Sequence, residues 1–446
     1  MSLFSTLGVG ASGLNVASVG LGVAGDNIAN IGTTGYKHTR ATFADFLPQN
    51  VFGLSGVGQL GTGAATNYLS TQFAQGSINS SDSSLDMAIG GNGFFVVNDG
   101  NQSSYTRNGE FYMDDNGFIT TASGLNLQGY NAVNGAVSGA IGDLQIDETT
   151  IPPAVTTTVV ADATLSAETV PGVDLAAIDM YGTGTGTNTL TEAGDAADFT
   201  MGTTIYDTLG VAHDVTVLFE RSGTSDWIWR AVTDATQVYD TTNTAFSTTA
   251  DSGFEIANGT VSFDTDGNIS AFTQTNTSTT TPWTFQGAAA QDVAFDFGMD
   301  STGVATDGAV TMVGDESSVQ ALSQDGRSAG ILSSLAVSDD GTITGSYTNG
   351  EDLVVGQVAL ATFTAESGLI RAGGTLFTAS SAAGAPAVGA AGTGTRGTIS
   401  GSALEGSNAN LEDEFVNMIT AQRMYQANAK VITAADESLQ TLMAIQ

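Results

Sequence analysis

The sequence predicts a multidomain α+β protein. A helix at each end of the chain is expected to join an inner coiled coil, with two mainly antiparallel β-domains, barrel-like or sandwich-like, inserted between them. Three observations predict this class. The last forty residues follow a helical pattern, the first thirty follow a heptad pattern, and the chain between them alternates apolar runs with turn residues.

The C-terminal segment Ser407–Gln446 contains neither Gly nor Pro, although the chain has 57 Gly elsewhere. Its predicted apolar face includes Leu411, Phe415, Met418, Tyr425, Ile432 and Leu439, with Ala421, Ala429, Ala435, Leu442 and Met443 in the flanking columns. Asn408 or Asn410 can cap the helix, and the acidic run 412–414 suits the positive end of its dipole. About 35 helical residues span roughly 50 Å, so this apolar face needs a partner of similar length.

The N-terminal segment carries a second heptad pattern. Its apolar and small positions are Leu3, Leu7, Gly10, Leu14, Ala17, Leu21, Ala24, Ile28 and Ile31. Each glycine in a helix interior costs about 1 kcal/mol relative to Ala, so the segment should order only when other helices cover it. We expect the helix to end between Asp26 and Asn30. An ordinary core helix within one monomer is the alternative interpretation.

The chain between these helices is predicted to be mostly β structure, over 85–147 and 199–298. The Asp- and Gly-rich segments 114–117, 264–268 and 339–341 are predicted hairpin turns, with calcium binding as the alternative. Residues 43–84 and 380–401 are expected to form loop-rich or extended arms, and 151–198 a domain crossing. Gly56–Gly61 fits the phosphate-binding pattern G-x-G-x-x-G. No clean strand precedes it and no amphipathic helix follows it, so we do not expect phosphate binding here.

Composition excludes several functions. A net charge of −36 argues against nucleic-acid and membrane partners, and the absence of Cys excludes disulfides and thiolate chemistry. The uncharged N-terminus has no leading Lys or Arg, so we expect no cleaved signal peptide. His213 adjoins Asp214, but neighbours on a strand point to opposite faces, and His38 is expected to be solvated. The sequence therefore predicts no enzyme, no cofactor and no metal site.

Motifs at both ends resemble the flagellar rod and hook axial protein family. Residues 26–30 and 33–37 are similar to its N-terminal signature, in which Asp26 replaces the usual Asn. Residues 405–430 are similar to its C-terminal signature. The matched motif positions are Asn27, Asn30, Thr34, Gly35, Lys37, Gln422, Arg423, Gln426 and Asn428.

The middle of the chain extends the resemblance. Residues 91–97, 105–109 and 127–130 are similar to a strand-rich domain of the family, and 206–217 to the outer domain of its hook-type members. Four regions are predicted: a terminal helical coiled-coil domain of 1–35 plus 405–446, connecting arms of 36–84 plus 372–404, an inner β-domain of 85–160 plus 325–371, and an outer β-domain of 161–324.

The resemblance implies a structural hook subunit that self-assembles into a curved tube and transmits motor torque as a universal joint. The residues expected to drive polymerisation are Leu7, Leu14, Leu21, Ile28, Leu411, Phe415, Met418, Tyr425, Ile432 and Leu439. Implied partners are further copies, a distal rod protein, a hook cap scaffold, a hook-filament junction protein and the flagellar export apparatus. The implied location is extracellular. A distal rod-type protein and an acidic adhesin or calcium-binding protein remain alternatives.

Overall fold

The structure is a computed structural model that describes residues 3–53, 56–133, 135–147, 149–172, 174–181, 186, 188–240, 244–276, 283–299, 304–314 and 316–444. The chain forms two compact units. Unit 1 comprises Met1–Thr149, Leu332–Tyr347 and Glu351–Gln446, and unit 2 comprises Thr150–Ile331 and Thr348–Gly350. The first two and last two residues of the predicted helical domain lie outside the described residues.

Three α-helices are present in the described chain: α1 (Leu3–Ala29), α2 (Leu190–Ala196) and α3 (Leu411–Ala444). The predicted end of α1 is confirmed. Asn410 caps α3, because its Oδ1 accepts a hydrogen bond from the Glu412 backbone N–H at 3.0 Å. Glu412, Asp413 and Glu414 occupy the first turn, as the dipole argument predicted.

The strands of the first third of the chain are β1 (Thr39–Asp45), β2 (Gln49–Gly53), β3 (Gly56–Leu60), β4 (Ala64–Thr71), β5 (Ile78–Ser80), β6 (Met87–Gly90), β7 (Phe94–Asn98), β8 (Ser103–Thr106), β9 (Phe111–Met113), β10 (Ile119–Thr121), β11 (Asn126–Val133) and β12 (Ala136–Asp143). Strands β1 and β4 pair antiparallel, as do β2 and β3. The region expected to be loop-rich is therefore a paired ribbon. The Gly56–Gly61 motif leads into strand β4 rather than a helix.

The next strands are β13 (Thr150–Ile151), β14 (Thr158–Leu165), β15 (Phe199–Tyr206), β16 (Ala212–Arg221), β17 (Asp226–Asp234), β18 (Val238–Asp240), β19 (Gly253–Phe263), β20 (Ile269–Asn276), β21 (Trp283–Phe285), β22 (Ala294–Asp296), β23 (Ala309–Met312) and β24 (Ser318–Gln324). Strands β15-β16-β17-β19-β20 form an antiparallel sheet, and β14 pairs with β22, β23 and β24. The core of unit 2 contains all three tryptophans, Trp227, Trp229 and Trp283.

Residues 151–198, expected to be a crossing, contribute to unit 2 itself. Every second residue of β14 from Val159 to Leu165 is buried, so this Thr- and Ala-rich strand has one core-facing side. Helix α2 begins at a capping box formed by Thr189 and Glu192.

The remaining strands are β25 (Gly330–Val337), β26 (Thr342–Tyr347), β27 (Asp352–Thr362), β28 (Ile370–Gly373), β29 (Leu376–Thr378), β30 (Ala387–Ala390), β31 (Thr398–Gly401) and β32 (Ala403–Glu405). In unit 1 the strand order β26-β27-β11-β7-β8-β29-β28 forms the main sheet, and its core includes Phe94, Tyr105 and Phe377. Strand β30 pairs with β27 and β31 with β6. Part of the low-complexity segment assigned to an arm is thus paired, since Gly, Ala, Ser and Thr form ladders without apolar alternation.

The three predicted hairpin turns are confirmed. Gly117, Gly267 and Gly341 have φ values of 83°, 84° and 79°, a region that favours glycine. Asp114 Oδ1 and Asp264 Oδ1 each accept backbone N–H bonds from residues two and four positions later. These carboxylates therefore hold the turns.

Candidate functional site: the paired terminal helices and their junction

Helices α1 and α3 pack antiparallel along most of their lengths. Asn27 bonds to Glu414, Gly20 faces Ala421, and Gly13 faces Asn428. Each step of seven residues towards the start of α1 therefore corresponds to a step of seven residues towards the end of α3. The two terminal helices therefore meet within one chain, as their lengths suggested.

Glycine allows this close approach. A Cβ added at Gly13 would lie 2.6 Å from the Asn428 side chain, and one at Gly10 would lie 2.9 Å from Ile432 Cγ1. Ala17 and Ala24 are also buried in α1. Gly10 and Gly13 thus lie directly against α3, and this close packing offsets part of their low helix propensity.

The predicted polymerisation residues are only partly covered in the isolated chain, although Ile432 lies against Gly10. On α1, Leu7, Leu14, Leu21 and Ile28 are half-buried. On α3, Met418, Ile432 and Leu439 are half-buried, whereas Leu411, Phe415 and Tyr425 are 45%, 42% and 44% exposed. Leu411, Phe415 and Tyr425 are therefore the most exposed of the predicted residues, and the other seven side chains are partly covered.

A cavity of about 360 Å³ adjoins this helix pair. Its lining includes Val16 and Val23 of α1, Phe43 of β1 and Met424 of α3. Phe43 and Met424 are each more than 40% exposed. Packing between α1, β1 and α3 is thus incomplete in the isolated chain.

Asn27 is the polar centre of the junction between α1, β1 and α3, and it is 1% exposed. Its Nδ2 donates to the Thr39 carbonyl at 2.8 Å and to Glu414 Oε1 at 2.9 Å. Its Oδ1 accepts from the Thr39 N–H and from the Tyr36 hydroxyl. Both amide atoms are satisfied, as a buried amide requires.

Asp26 has a partner that accounts for an acidic residue here. Its carboxylate lies 3.4 Å from Arg371 Nη1, and it shares the one Tyr36 hydroxyl hydrogen with Asn27, at an oxygen-oxygen distance of 3.0 Å. The Arg371 guanidinium also lies 4.9 Å from the centre of the Tyr36 ring. Burial raises the pKa of the Tyr36 hydroxyl, and the nearby Arg371 guanidinium opposes that shift.

Lys37 belongs to a buried ionic triad that sequence reasoning missed. Its Nζ lies 2.6 Å from Glu405 Oε1, and Arg107 Nη1 lies 3.1 Å from Glu405 Oε2. Lys37 and Glu405 side chains are both 0% exposed. Burial lowers the pKa of the Lys37 ammonium, and its bond to Glu405 opposes that shift.

The triad joins distant segments. Glu405 Oε1 also accepts from the Gly76 N–H, Lys37 Nζ donates to the Ala74 carbonyl, and Arg107 Nη2 donates to the Gly91 carbonyl. The N-terminal turn, the ribbon, the main β-domain and the segment before α3 thus meet at one carboxylate. Arg107 and Glu405 both lie in segments that resemble the family motifs. They are 298 positions apart, so the sequence pattern alone cannot predict that they pair.

The other N-terminal motif residues build the turn after α1. Gly35 has a φ of 67°, donates its N–H to the Glu405 carbonyl at 2.7 Å, and would bring a Cβ within 2.4 Å of the Asn108 nitrogen. Thr34 Oγ1 lies 3.0 Å from Glu110 Oε1, and Asn30 Nδ2 donates to the Asp26 carbonyl. Only glycine suits the position of Gly35.

The C-terminal motif residues divide into two groups. Asn428 is half-buried against α1, whereas Gln422, Arg423 and Gln426 are exposed on α3. The structure therefore brings Asn27, Gly35 and Lys37 into the junction but leaves these three side chains outside it.

Both histidines have hydrogen-bond partners. His213 Nε2 lies 3.2 Å from Asp207 Oδ2 and Nδ1 lies 2.8 Å from Gln237 Oε1, while the ring stacks 3.6 Å from Phe285. Its partner is thus Asp207 and not the adjacent Asp214. The expectation that His38 is solvated is wrong, because its ring Nδ1 and backbone N–H both contact Asn408 Oδ1. The described residues include no group of three or more His, Asp or Glu placed to hold a metal.

The apolar character of α1 also meets a membrane criterion. Residues Ser5–Ala29 are long enough and apolar enough to cross a membrane, with a mean hydropathy of 1.5. Core helices pass the same test. The pairing with α3 and the buried Asn27 support the helix-packing interpretation.

Comparisons with known proteins agree with this organisation. Four family models match: flagella basal body rod protein over 7–37, flagellar hook protein FlgE/F/G D1 domain over 88–166, flagellar basal body protein FlaE D2 domain over 176–327, and flagellar basal body rod FlgEFG protein C-terminal over 400–445. They follow one another along the chain and leave 38–87 and 328–399 unmatched.

Full-length relatives give the same result. The flagellar hook protein FlgE of Salmonella typhimurium is 32% identical over 435 residues, covering 97% of this chain and 98% of the relative. That of Escherichia coli is also 32% identical, with 97% and 98% covered, and that of Borreliella burgdorferi is 29% identical, with 98% of each covered. The Helicobacter pylori hook protein FlgE2 structure aligns with a TM-score of 0.49 and 14% identity over 72% of this chain and 98% of its own.

Terminal helices that pair with each other, with β-domains inserted between them, define a structural protein of the flagellar axial class. The relatives and family models identify the branch of that class. The chain belongs to the flagellar hook protein FlgE family.

Proposed function

We propose that this chain self-assembles through its terminal helices into the curved tube of the bacterial flagellar hook, where it transmits motor torque as a universal joint. The observation that supports this most directly is the exposure of α3. Leu411, Phe415 and Tyr425 remain over 40% exposed after α1 has packed against the helix. Apolar faces of this length are stabilised when further copies cover them.

The half-buried residues of α1 add to that surface. Each fully buried Leu or Ile contributes about 1.5–3 kcal/mol, and Leu7, Leu14, Leu21 and Ile28 reach only part of this in one chain. Burial against neighbouring copies would recover the rest. The predicted division into a helical domain, connecting arms, and inner and outer β-domains is part of this proposal.

Family membership supports the finer expectations. These are an extracellular location, export through the flagellar channel, and contacts with a distal rod protein, a hook cap scaffold and a hook-filament junction protein. The match of 176–327 to a D2 domain, together with full-length hook relatives, favours a hook subunit over a distal rod protein. An adhesin or calcium-binding protein has no comparable support.

The test compares the full chain with Phe415→Ser and Tyr425→Ser in sedimentation and negative-stain electron microscopy. We expect the full chain to form sedimenting curved tubes and both variants to remain folded monomers. Leu209→Ser is the matched control, because Leu209 is 57% exposed in unit 2 and lies outside the helices. A wild-type chain that stays monomeric at every salt concentration, or variants that assemble like wild type, would contradict the proposal.

A further inference from the structure

Free positive charge is scarce on this protein. The chain has ten Lys and Arg against 46 Asp and Glu. Lys37, Arg107, Arg230 and Arg371 form ion pairs, Arg221 and Arg396 bond to backbone carbonyls, and Arg327 also has a partner. Among the described residues, the exposed cations without a side-chain partner are Arg40, Arg423 and Lys430.

Two of these three cations share one face of α3. Ala421 and Asn428 contact α1, and Arg423 and Lys430 each follow one of them by two residues. Two residues correspond to about 200° around a helix, so both cations point away from α1. Val416 and Ile419, 62% and 46% exposed, lie on the same side one or two turns earlier. We call Val416, Ile419, Arg423 and Lys430 the basic face of α3.

Exposed acidic residues bracket the basic face along the helix. Glu412 and Asp413 precede it, and Asp436 and Glu437 follow it, all exposed. No charged residue occurs in α1 before Asp26, and the Asp26 carboxylate already faces Arg371. Asp413 and Asp436 accept hydrogen bonds from Asn410 and Gln440, but none of these four acids forms an ion pair with a described residue. The acids available to a second copy therefore lie towards the two ends of α3.

This order of charges discriminates between ways of packing two α3 helices side by side and parallel. Without an axial offset, cations lie level with cations and acids level with acids, which is repulsive. An offset of about seven residues sets Lys430 level with Glu437, but it also sets Arg423 level with Lys430. Offsets of about 10–18 residues, roughly 15–27 Å, can set a cation level with an acid and bring no like charges together.

We propose that the basic face of α3 docks against the acidic ends of α3 in a second copy, with the helices offset along their axes. The inference rests on the proposed self-assembly and assigns a role to Arg423, a family-motif residue that takes no part in the junction. Charge complementarity selects the partner, because a second copy with a net charge of −36 is strongly acidic. Burial of Val416 and Ile419 at the same contact contributes affinity.

The experiment measures the critical concentration for polymerisation of the full chain by sedimentation at about 50 mM and about 1 M salt. We expect Arg423→Glu and Lys430→Glu each to raise it about tenfold or more at low salt, relative to wild type. The ratio should shrink at 1 M salt, where the Debye length is about 3 Å. Arg40→Glu is the control, because it changes the net charge equally but lies on β1.

Second-site variants identify the partner. Glu412→Arg, Asp413→Arg, Asp436→Arg and Glu437→Arg are each combined with Arg423→Glu, and at least one should restore the low-salt critical concentration. Helix content measured by circular dichroism checks that each variant folds. Rescue by none of the four, or an equal effect of Arg40→Glu, overturns the inference. A wild type that polymerises alongside an unaffected Arg423→Glu overturns it while leaving the proposed function intact, whereas a wild type that never polymerises contradicts both.

Discussion

The side-chain amide of Asn27 donates a hydrogen bond to Glu414 Oε1 at 2.9 Å, which joins residues 387 positions apart in the sequence. This bond holds the end of α1 against the start of α3. Asn27 also bonds to both backbone groups of Thr39, so the segment that follows α1 is held at the same point. The first family motif thus acts as a clamp between the two ends of the chain.

Replacing Asn27 with Ala should destabilise unit 1 by about 2–4 kcal/mol, because the Thr39 backbone and Glu414 would lose buried partners. Asn27→Asp should be at least as harmful, since it sets a second carboxylate beside Glu414. Thermal unfolding and amide hydrogen exchange of α1 and α3 measure the effect. Asn30→Ala is the control, because Asn30 bonds only within its own turn. Equal effects at positions 27 and 30 would contradict the clamp.

Glu405→Gln should destabilise unit 1 by about 3–5 kcal/mol, because it leaves Lys37 and Arg107 buried without a counter-charge. Lys37→Met should cost less, since Arg107 still neutralises Glu405. Denaturant unfolding of both variants and of the double variant gives the coupling energy. Additive effects within about 0.5 kcal/mol would show that Lys37 and Glu405 do not act together.

The glycines of α1 should respond differently to substitution by Ala. Gly22→Ala should stabilise the helix by about 0.4–1 kcal/mol, because nothing lies within 4 Å of the added Cβ. Gly13→Ala should lose that gain or destabilise the protein, since its Cβ must displace Asn428 from 2.6 Å. Thermal unfolding compares the two in the same buffer. A larger stabilisation from Gly13→Ala would argue against close packing of α1 on α3.

Acid should destabilise unit 2 through Asp325. Although burial raises its pKa, bonds from the Thr157 hydroxyl and the 157 and 158 backbone N–H groups outweigh that effect and lower it. The resulting stability is present above the unfolded pKa of about 3.9 and is lost as pH falls through the lower folded value.

Asp325→Asn should therefore flatten the acid limb of the unfolding curve below about pH 4. Thermal unfolding from pH 2 to pH 7, followed by tryptophan fluorescence, reports on unit 2 because Trp227, Trp229 and Trp283 all lie in its core. Asp266→Asn is the control, since its exposed carboxylate accepts no hydrogen bond from a described residue. An unchanged acid limb in Asp325→Asn would refute the assignment.

The sequence alone determined the features that depend on local periodicity and local conformation. Heptads predicted both terminal helices, Asn410 was among the predicted caps, and the Asp- and Gly-rich turns were located correctly. These signals are strong because helix faces, caps and positive φ angles constrain residues only a few positions apart. Motifs at both ends were also sufficient to predict the family.

Only the tertiary structure decided which distant residues meet. It paired Glu405 with Lys37 and Arg107, and it showed that Gly10, Gly13 and Gly20 of α1 lie against α3. It also turned the expected arms into paired strands. The physical reason is that burial, strand pairing and charge compensation depend on neighbours that the whole chain brings together. A local pattern indicates that a residue requires a packing, hydrogen-bond or ion-pair partner, but it does not identify that partner.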